Sequence, residues 1–335
     1  MIQGILLAVL AGVMLGFYAL PEKFAKGYKY ENIWGLYFFI MLLILPILTS
    51  LFLIKNFGAV LSSVPLDILL KMAAASFLWG WGVQLWSKAI NYIGLSLGFS
   101  IFIGSVILVG SVLPFIVDGL PSPNALIFIL IGLAVVLVGI AINGRAGMLR
   151  NSAEMKSGEK SANKMAMGIF IAVFGGLLAT GFSFANAVGV GPISEAMLAN
   201  GNPSGMTSLA IMNIIYVSGG IFVLPYFAIQ LTKNNSWPVF TKSFVLRNIS
   251  MATIMAVLCF FAGVVFAYAA SQLGKAGNTV GYAIYNTVSV LVAVVSGLMT
   301  KEWDTSGSKA KNLLYLALIA MILGVVLIAV GNSFN

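Results

Sequence analysis

Polar and aromatic side chains recur within the otherwise apolar stretch GNTVGYAIYNTVSV, residues 277–290. Five of them follow the spacing i, i+4, i+7, i+8 and i+11, which places them on one face of a helix: Asn278, Tyr282, Tyr285, Asn286 and Ser289. Amide and hydroxyl groups beside aromatic rings suit a sugar, whose ring carries hydroxyl groups at its edge and C–H groups on its faces. The alternative role for each residue is hydrogen bonding between helices. We expect the face as a whole to line a cavity.

A second such stretch is FLWGWGVQLWSKAINYIG, in which Trp79 and Trp86 share one helical face and Trp81 and Gln84 share another. Trp86 also suits the aromatic belt at a membrane interface. We expect Trp79, Trp81 and Gln84 to contact a solute. The polar and aromatic face within residues 277–290 is expected to contact the same solute. Four further residues complete the candidate binding set, with polar packing between helices as their alternative role: Tyr18, Asn186, Asn213 and Tyr216.

The elements that position these residues are membrane-spanning helices. The chain is 60% hydrophobic and 8% charged, whereas a soluble domain carries roughly 25% charged residues. Apolar runs long enough to cross a bilayer as helices, about 20 residues each, recur from end to end. We predict ten spans in an all-α integral membrane protein: 2–20, 33–54, 67–88, 95–117, 124–143, 165–187, 206–231, 247–272, 276–299 and 312–331.

The loops after the odd-numbered spans carry all but three of the 18 lysines and arginines. The exceptions are Lys55, Lys71 and Lys275. Because cytoplasmic loops are enriched in Lys and Arg, these loops are predicted to be cytoplasmic and both termini to lie outside the cytoplasm. The cations occupy short loops, so the net charge of +9 does not indicate a nucleic-acid partner. The partner surface is the lipid bilayer.

Three sequence matches in the same order indicate an internal repeat. GILLAVLAG in span 1 resembles GIFIAVFGG in span 6, GLSLGFSI in span 4 resembles GNTVGYAI in span 9, and GLAVVLVG in span 5 resembles GVVLIAVG in span 10. We predict a first five-helix repeat over 1–143, a flexible cytoplasmic linker over 144–164 and a second repeat over 165–335. Five spans per repeat make the second inverted relative to the first, which is typical of secondary transporters.

The distribution of ionisable groups limits the chemistry. None of the nine carboxylates lies at the middle of a predicted span, and the chain has no histidine. The transported solute is therefore expected to be uncharged. A serine hydrolase would need a base for its nucleophile and an aspartyl protease two intramembrane carboxylates, so we predict no enzymatic activity, no metal site and no cofactor. A channel is disfavoured, since no selectivity motif or pore loop is apparent.

Several stretches resemble the bacterial L-rhamnose–proton symporter family of the drug/metabolite transporter superfamily. They are GFYALPEKFAKGYKYENIW, WGWGVQLWSKAINYIGLSLGFSIFIGSVILVGSVLPFI, GRAGML, GFSFA and KEWDTSG, and the resemblance runs from about Gly4 to Gly331. It implies a ten-helix multi-pass protein of the inner membrane that imports a 6-deoxyhexose with a proton. The alternatives are an exporter or facilitator of another neutral metabolite and, in a different class, a membrane receptor or scaffold.

The lack of histidine means that a histidine-based coupling step cannot be carried over from the family. The remaining candidates for a proton site are Glu195, Asp118 and Glu22, all near helix ends. We rank Glu195 first, in the segment GPISEAM after span 6, although a solvated loop carboxylate or helix cap is its alternative role. Coupling to sodium, or no coupling, stays open. The cavity is expected mainly between helices 1, 3, 4, 6, 8 and 9.

Overall fold

Long apolar segments form helices here because a helix satisfies the backbone hydrogen bonds of a segment that crosses hydrocarbon. In the described part of the computed structural model, ten helices are long and apolar enough to cross a membrane, which confirms the predicted count. The structure describes residues 2–93, 95–154, 162–241, 244–274, 277–301, 303–304 and 306–334. Within these ranges it describes the backbone alone at residues 87, 90, 91, 95–97, 99, 118, 151–154 and 162–164.

The ten spans are numbered in chain order, and most begin and end within a few residues of the prediction. They are α1 (Ile2–Phe17), α2 (Tyr30–Leu53), α3 (Leu66–Ile93), α4 (Leu95–Val112), α5 (Pro123–Glu154), α6 (Ala162–Ala179 and Gly181–Ala199), α7 (Thr207–Lys233), α8 (Val245–Gln272), α9 (Gly277–Met299) and α10 (Ser308–Asn332). Short helices lie between them at Leu20–Phe24, Phe57–Ser63, Phe115–Asp118, Ser204–Met206 and Trp237–Thr241.

Two predicted boundaries are wrong. α5 continues to Glu154, so the predicted flexible linker over 144–164 begins as helix. Ala146 is buried there beside Trp303, and the Arg150 guanidinium lies 4.8 Å from the centre of the Trp303 ring. These contacts hold the polar segment in helical form, while residues 155–161 lie outside the described part. α6 continues to Ala199, so Glu195 lies within the helix rather than after it.

The two halves make corresponding helix contacts. Each helix of the first half, α1 to α5, corresponds to the helix five places later, α6 to α10. α1 packs on α8 and α9, and α6 packs on α3 and α4. α2 packs on α8 as α7 packs on α3, while α5 and α10 pack on each other. This pattern is compatible with the predicted inverted repeat.

Two buried asparagines join the halves through paired backbone hydrogen bonds. Asn202, after α6, donates to the carbonyl of Lys55 at 2.9 Å and accepts the Lys55 N–H at 2.7 Å. Asn248, in α8, donates to the carbonyl of Lys26 at 2.8 Å and accepts the Lys26 N–H at 2.9 Å. The first pair ties the α2–α3 connection to the α6–α7 connection, and the second ties the α1–α2 connection to α8. Each half is therefore held to the other at both ends of the bundle.

Small residues bring α1 directly against α9. A Cβ atom at Gly12 would lie 2.6 Å from the Cβ of Val288 and 2.8 Å from the carbonyl oxygen of Tyr285. Gly16 meets Val292 and Ser289 one turn further along both helices, so α1 and α9 run parallel. This close approach is the small-residue packing that membrane helices use where lipid supplies no hydrophobic driving force.

Replacing Gly12 with alanine is therefore expected to destabilise the folded protein by about 1–3 kcal/mol, because overpacking outweighs the gain in helix propensity. Thermal unfolding in detergent, followed by loss of the monodisperse peak, measures the effect. Gly191→Ala is the matched control, since Gly191 lies in a helix with open space around it. Equal melting temperatures for the two variants would contradict the proposed close contact.

Candidate functional site

A cavity of about 770 Å³ lies at the centre of the bundle, within the roughly 300–1,000 Å³ typical of small-molecule sites. Eight of the ten spans contribute described side chains to its lining; α5 and α10 contribute none. The expectation of helices 1, 3, 4, 6, 8 and 9 was incomplete, because α2 and α7 also line the cavity. Half of the lining residues are aromatic, and the polar ones include Glu22, Asn286, Ser289 and Cys259.

The cavity opens at one end of the bundle. Its lining includes Glu22, within the α1–α2 connection, and Tyr30, at the start of α2 and 50% exposed. Tyr216 and Tyr282, which also line the cavity, are only 2% and 3% exposed. The open end is where α1 and α9 end, since the Lys23 Nζ after α1 donates a hydrogen bond to Thr300 Oγ1 after α9 at 3.0 Å.

The opposite end is closed by aromatic and amide contacts. The ring of Phe182 stacks on Tyr282 with centroids 6.4 Å apart and lies 5.9 Å from the ring of Phe266. Beyond them, Asn186 Nδ2 on α6 donates a hydrogen bond to Asn278 Oδ1 on α9 at 2.6 Å. These contacts separate the cavity from the side on which α9 begins.

The predicted polar face of α9 points mostly into the cavity. Four of the five residues line it: Tyr282, Tyr285, Asn286 and Ser289. The fifth, Asn278, lies outside the lining and accepts a hydrogen bond from Asn186. The Tyr285 ring stacks on Phe266 at 5.0 Å, and its hydroxyl group forms no hydrogen bond with a residue that the structure describes. That hydroxyl group is available to a bound solute.

α2 supplies a second face that sequence reasoning missed. Five of its residues line the cavity: Tyr30, Trp34, Tyr37, Phe38 and Met41. Their spacing is i, i+4, i+7, i+8 and i+11, which is the spacing recognised in α9. The aromatic clustering was a usable signal, although side chains of these types are also common in lipid-facing helices.

The α1–α2 end of the cavity forms an aromatic cage around a carboxylate. The ring of Tyr18 lies 6.1 Å from Trp34 and 5.7 Å from Tyr37, and Trp34 lies 5.4 Å from Tyr37. Trp34 Nε1 donates a hydrogen bond of 2.7 Å to Glu22 Oε1. Glu22 sits in the short 3₁₀ helix Leu20–Phe24, which begins where Pro21 prevents α1 from continuing. The same turn thus ends the helix and places a carboxylate at the cavity.

On α3, Trp79, Val83 and Trp86 line the cavity at i, i+4 and i+7. Trp81 was expected there as well, but it is 38% exposed and packs against Phe174 and Phe222 at 6.2 and 6.1 Å. Trp81 lies two positions after Trp79, so the helix turns its ring about 200° away from that of Trp79. Gln84 is buried outside the cavity lining.

The remaining candidates divide between the cavity and helix contacts. Tyr18 and Tyr216 line the cavity, and the Tyr216 hydroxyl group donates to the carbonyl of Cys259 at 3.4 Å. Asn213 Nδ2 donates to the carbonyl of Pro46 at 2.8 Å, and Asn186 pairs with Asn278, so both join helices instead of lining the cavity.

Of the three proton-site candidates, only Glu22 is placed at the cavity. Glu195 is exposed on the outer surface of α6, away from the lining. The side chain of Asp118 lies outside the described residues.

Ten apolar helices in the described chain, eight of which line a solute-sized cavity, form the architecture of a multi-pass membrane transporter. The profile of the family described as L-rhamnose-proton symport protein (RhaT) matches residues 1–333, and the chain belongs to this family. It is 28% identical to the L-rhamnose-proton symporter of Escherichia coli strain Crooks over 328 residues, covering 95% of this chain and 94% of that protein. The L-rhamnose-proton symporter of Shigella boydii serotype 18 is 27% identical over the same coverage.

Proposed function

We propose that this protein imports L-rhamnose, or a similar 6-deoxyhexose, together with a proton across the bacterial inner membrane. The observation that carries the proposal is the aromatic cavity in a chain of the L-rhamnose-proton symport family. Aromatic rings cover the C–H faces and the methyl group of a deoxy sugar, while hydroxyl and amide groups meet its hydroxyl groups. Asn286 and Tyr285 supply such polar groups from α9, and Tyr18 supplies one from α1.

The proposed sugar contacts follow the placement of side chains in the cavity. Trp79, Tyr216, Tyr282, Tyr285, Asn286 and Tyr18 are retained from the predicted set, and Trp34 and Tyr37 are added. Trp81, Gln84, Asn186 and Asn213 are left out of the proposed contacts because none of them lines the cavity. The solute is uncharged in this proposal, since the described lining carries no cation and one carboxylate.

Transport by this fold is proposed to alternate access between the two faces. The excess of Lys and Arg in the loops after odd-numbered spans supports a cytoplasmic α1–α2 connection and termini outside the cytoplasm. On this orientation, the cavity of this structure is proposed to open inward. Opening to the outside requires the Asn186–Asn278 bond to break and Phe182 to separate from Tyr282. The two inverted repeats, 1–143 and 165–335 around the linker 144–164, are proposed to rock against each other during this change.

Purified protein in proteoliposomes tests the function directly. We expect radiolabelled L-rhamnose to accumulate above the external concentration when an inward proton gradient is imposed, and only to equilibrate without the gradient. Equilibration in both conditions would identify a facilitator or a different coupling ion such as sodium. The absence of uptake by folded protein would contradict the sugar assignment, and efflux-selective transport would favour an exporter.

Replacing Tyr285 with alanine is expected to weaken L-rhamnose binding about tenfold or more. One hydrogen bond contributes about 0.5–1.5 kcal/mol and an aromatic contact adds to it, while tenfold corresponds to about 1.4 kcal/mol. Quenching of tryptophan fluorescence by the sugar measures the dissociation constant. Tyr315→Ala is the matched control, because Tyr315 is half exposed on α10. An unchanged affinity in folded Tyr285→Ala protein would remove this residue from the site.

Cysteine labelling in intact cells tests the proposed orientation. The exposed Ser62, between α2 and α3, is expected outside the cytoplasm, and the exposed Ser308, at the start of α10, inside it. A membrane-impermeant maleimide should therefore label Ser62→Cys in intact cells and Ser308→Cys only after lysis. The unmodified protein is the control, since its single cysteine, Cys259, is buried. The reverse pattern would invert the topology.

A further inference from the structure

Glu22 is the only carboxylate that lines the cavity among the side chains that the structure describes. Glu31 is buried elsewhere and accepts hydrogen bonds from Ser236 and Asn234. The other described carboxylates are exposed on the surface: Asp67, Glu195 and Asp304. A proton that moves with the solute through this cavity therefore meets one described acidic group.

The charged groups near Glu22 are directed to other partners. Arg247 Nε donates to the carbonyl of Phe24 at 2.7 Å, Lys29 Nζ donates to the carbonyl of Asn234 at 3.4 Å, and Lys26 lies over the ring of Phe244. Lys23 Nζ, next in sequence, donates to Thr300.

Glu22 forms no ion pair with any cation in the described part of the chain. Its carboxylate accepts a hydrogen bond from the Trp34 indole, and Tyr18 and Tyr30 line the same cavity. Binding a proton here does not require a salt bridge to break. This distinguishes Glu22 from Asp67, whose carboxylate pairs with Lys71 at 2.8 Å.

We infer that Glu22 carries the proton during transport and that Trp34 transmits its protonation state to the sugar site. This inference rests on the proposed function. The proton binds a Glu22 oxygen while the cavity faces outward, crosses with the sugar, and leaves to the cytoplasm from the open end seen here. No covalent bond to the sugar forms or breaks.

Trp34 links the carboxylate to the remainder of the cage. A hydrogen bond to a charged acceptor is roughly twice as strong as one between neutral groups. The hydrogen bond from the Trp34 indole is therefore stronger when Glu22 is deprotonated. Protonation removes the negative charge of Glu22 and weakens that bond. Because the Trp34 ring contacts both Tyr18 and Tyr37, a change in its position alters the aromatic surface offered to the sugar. Proton binding and sugar binding thereby favour each other.

Glu22→Gln in proteoliposomes tests the proton assignment, because glutamine keeps the shape of the side chain but binds no proton. We expect proton-driven accumulation of L-rhamnose to fall at least tenfold, while exchange of labelled for unlabelled sugar continues at a rate within about twofold of the wild type. Glu195→Gln is the matched control on the exposed face of α6, and it is expected to accumulate sugar normally.

Three outcomes separate the possible failures. Normal accumulation by Glu22→Gln overturns the inference and leaves the proposed function intact. Loss of both exchange and accumulation in a monodisperse Glu22→Gln protein also overturns it, because Glu22 would then be a sugar contact or a structural residue. A wild-type protein that does not accumulate L-rhamnose overturns the proposed function itself.

Trp34→Phe tests the positioning role, since phenylalanine keeps an aromatic ring and removes the N–H donor. The proton-free carboxylate of Glu22 loses its hydrogen-bond donor, so the pH of half-maximal proton-driven uptake is expected to move upward. An unchanged pH profile in a folded Trp34→Phe protein would overturn the role of Trp34 as the link.

Discussion

The hydrocarbon core of a bilayer offers no hydrogen-bond partner, and this constraint gives the polar side chains considered for the site two different roles. One set is satisfied between helices: Asn186 pairs with Asn278, Asn213 with the carbonyl of Pro46, and Ser183 with the carbonyl of Gly110 at 2.7 Å. The other set, which includes Glu22 and Tyr285, lines the cavity. For these residues, the hydrogen-bond partners separate those that join helices from those that can meet the solute.

Close packing of helix backbones makes room for the large rings of the cavity. Glycine brings α1 against α9 at Gly12 and Gly16, and Gly110 of α4 lies against the ring of Tyr282. Gly263 of α8 similarly meets the hydroxyl group of Tyr216. The missing side chains of Gly110 and Gly263 leave space that an aromatic ring of the neighbouring helix fills. These contacts position the rings that form the cavity wall.

The sequence predicted the architecture well because length and hydropathy determine a membrane span. It predicted the cavity less completely. The α9 face was recognised through Asn278 and Asn286, which are conspicuous in an apolar helix, whereas the equally spaced α2 face consists of Trp34, Tyr37 and Phe38, which also occur in lipid-facing helices.

The sequence also did not show which face of each helix points toward the cavity. Trp79 and Trp81 cannot both face the cavity, and periodicity alone does not say which one does. The sequence likewise does not show that Glu22 lies at the cavity and Glu195 on the exposed surface of α6. Nor does it show that Ala146 packs in one cluster with the distant Trp303.

Sugar-driven proton movement tests the central claim that one cavity couples the two substrates. Proteoliposomes containing the protein and a trapped pH-sensitive dye would receive external L-rhamnose with no imposed pH gradient. The account predicts that the lumen acidifies as the sugar enters, and that a non-transported stereoisomer gives no signal. Entry of the sugar without acidification would contradict coupling in this cavity.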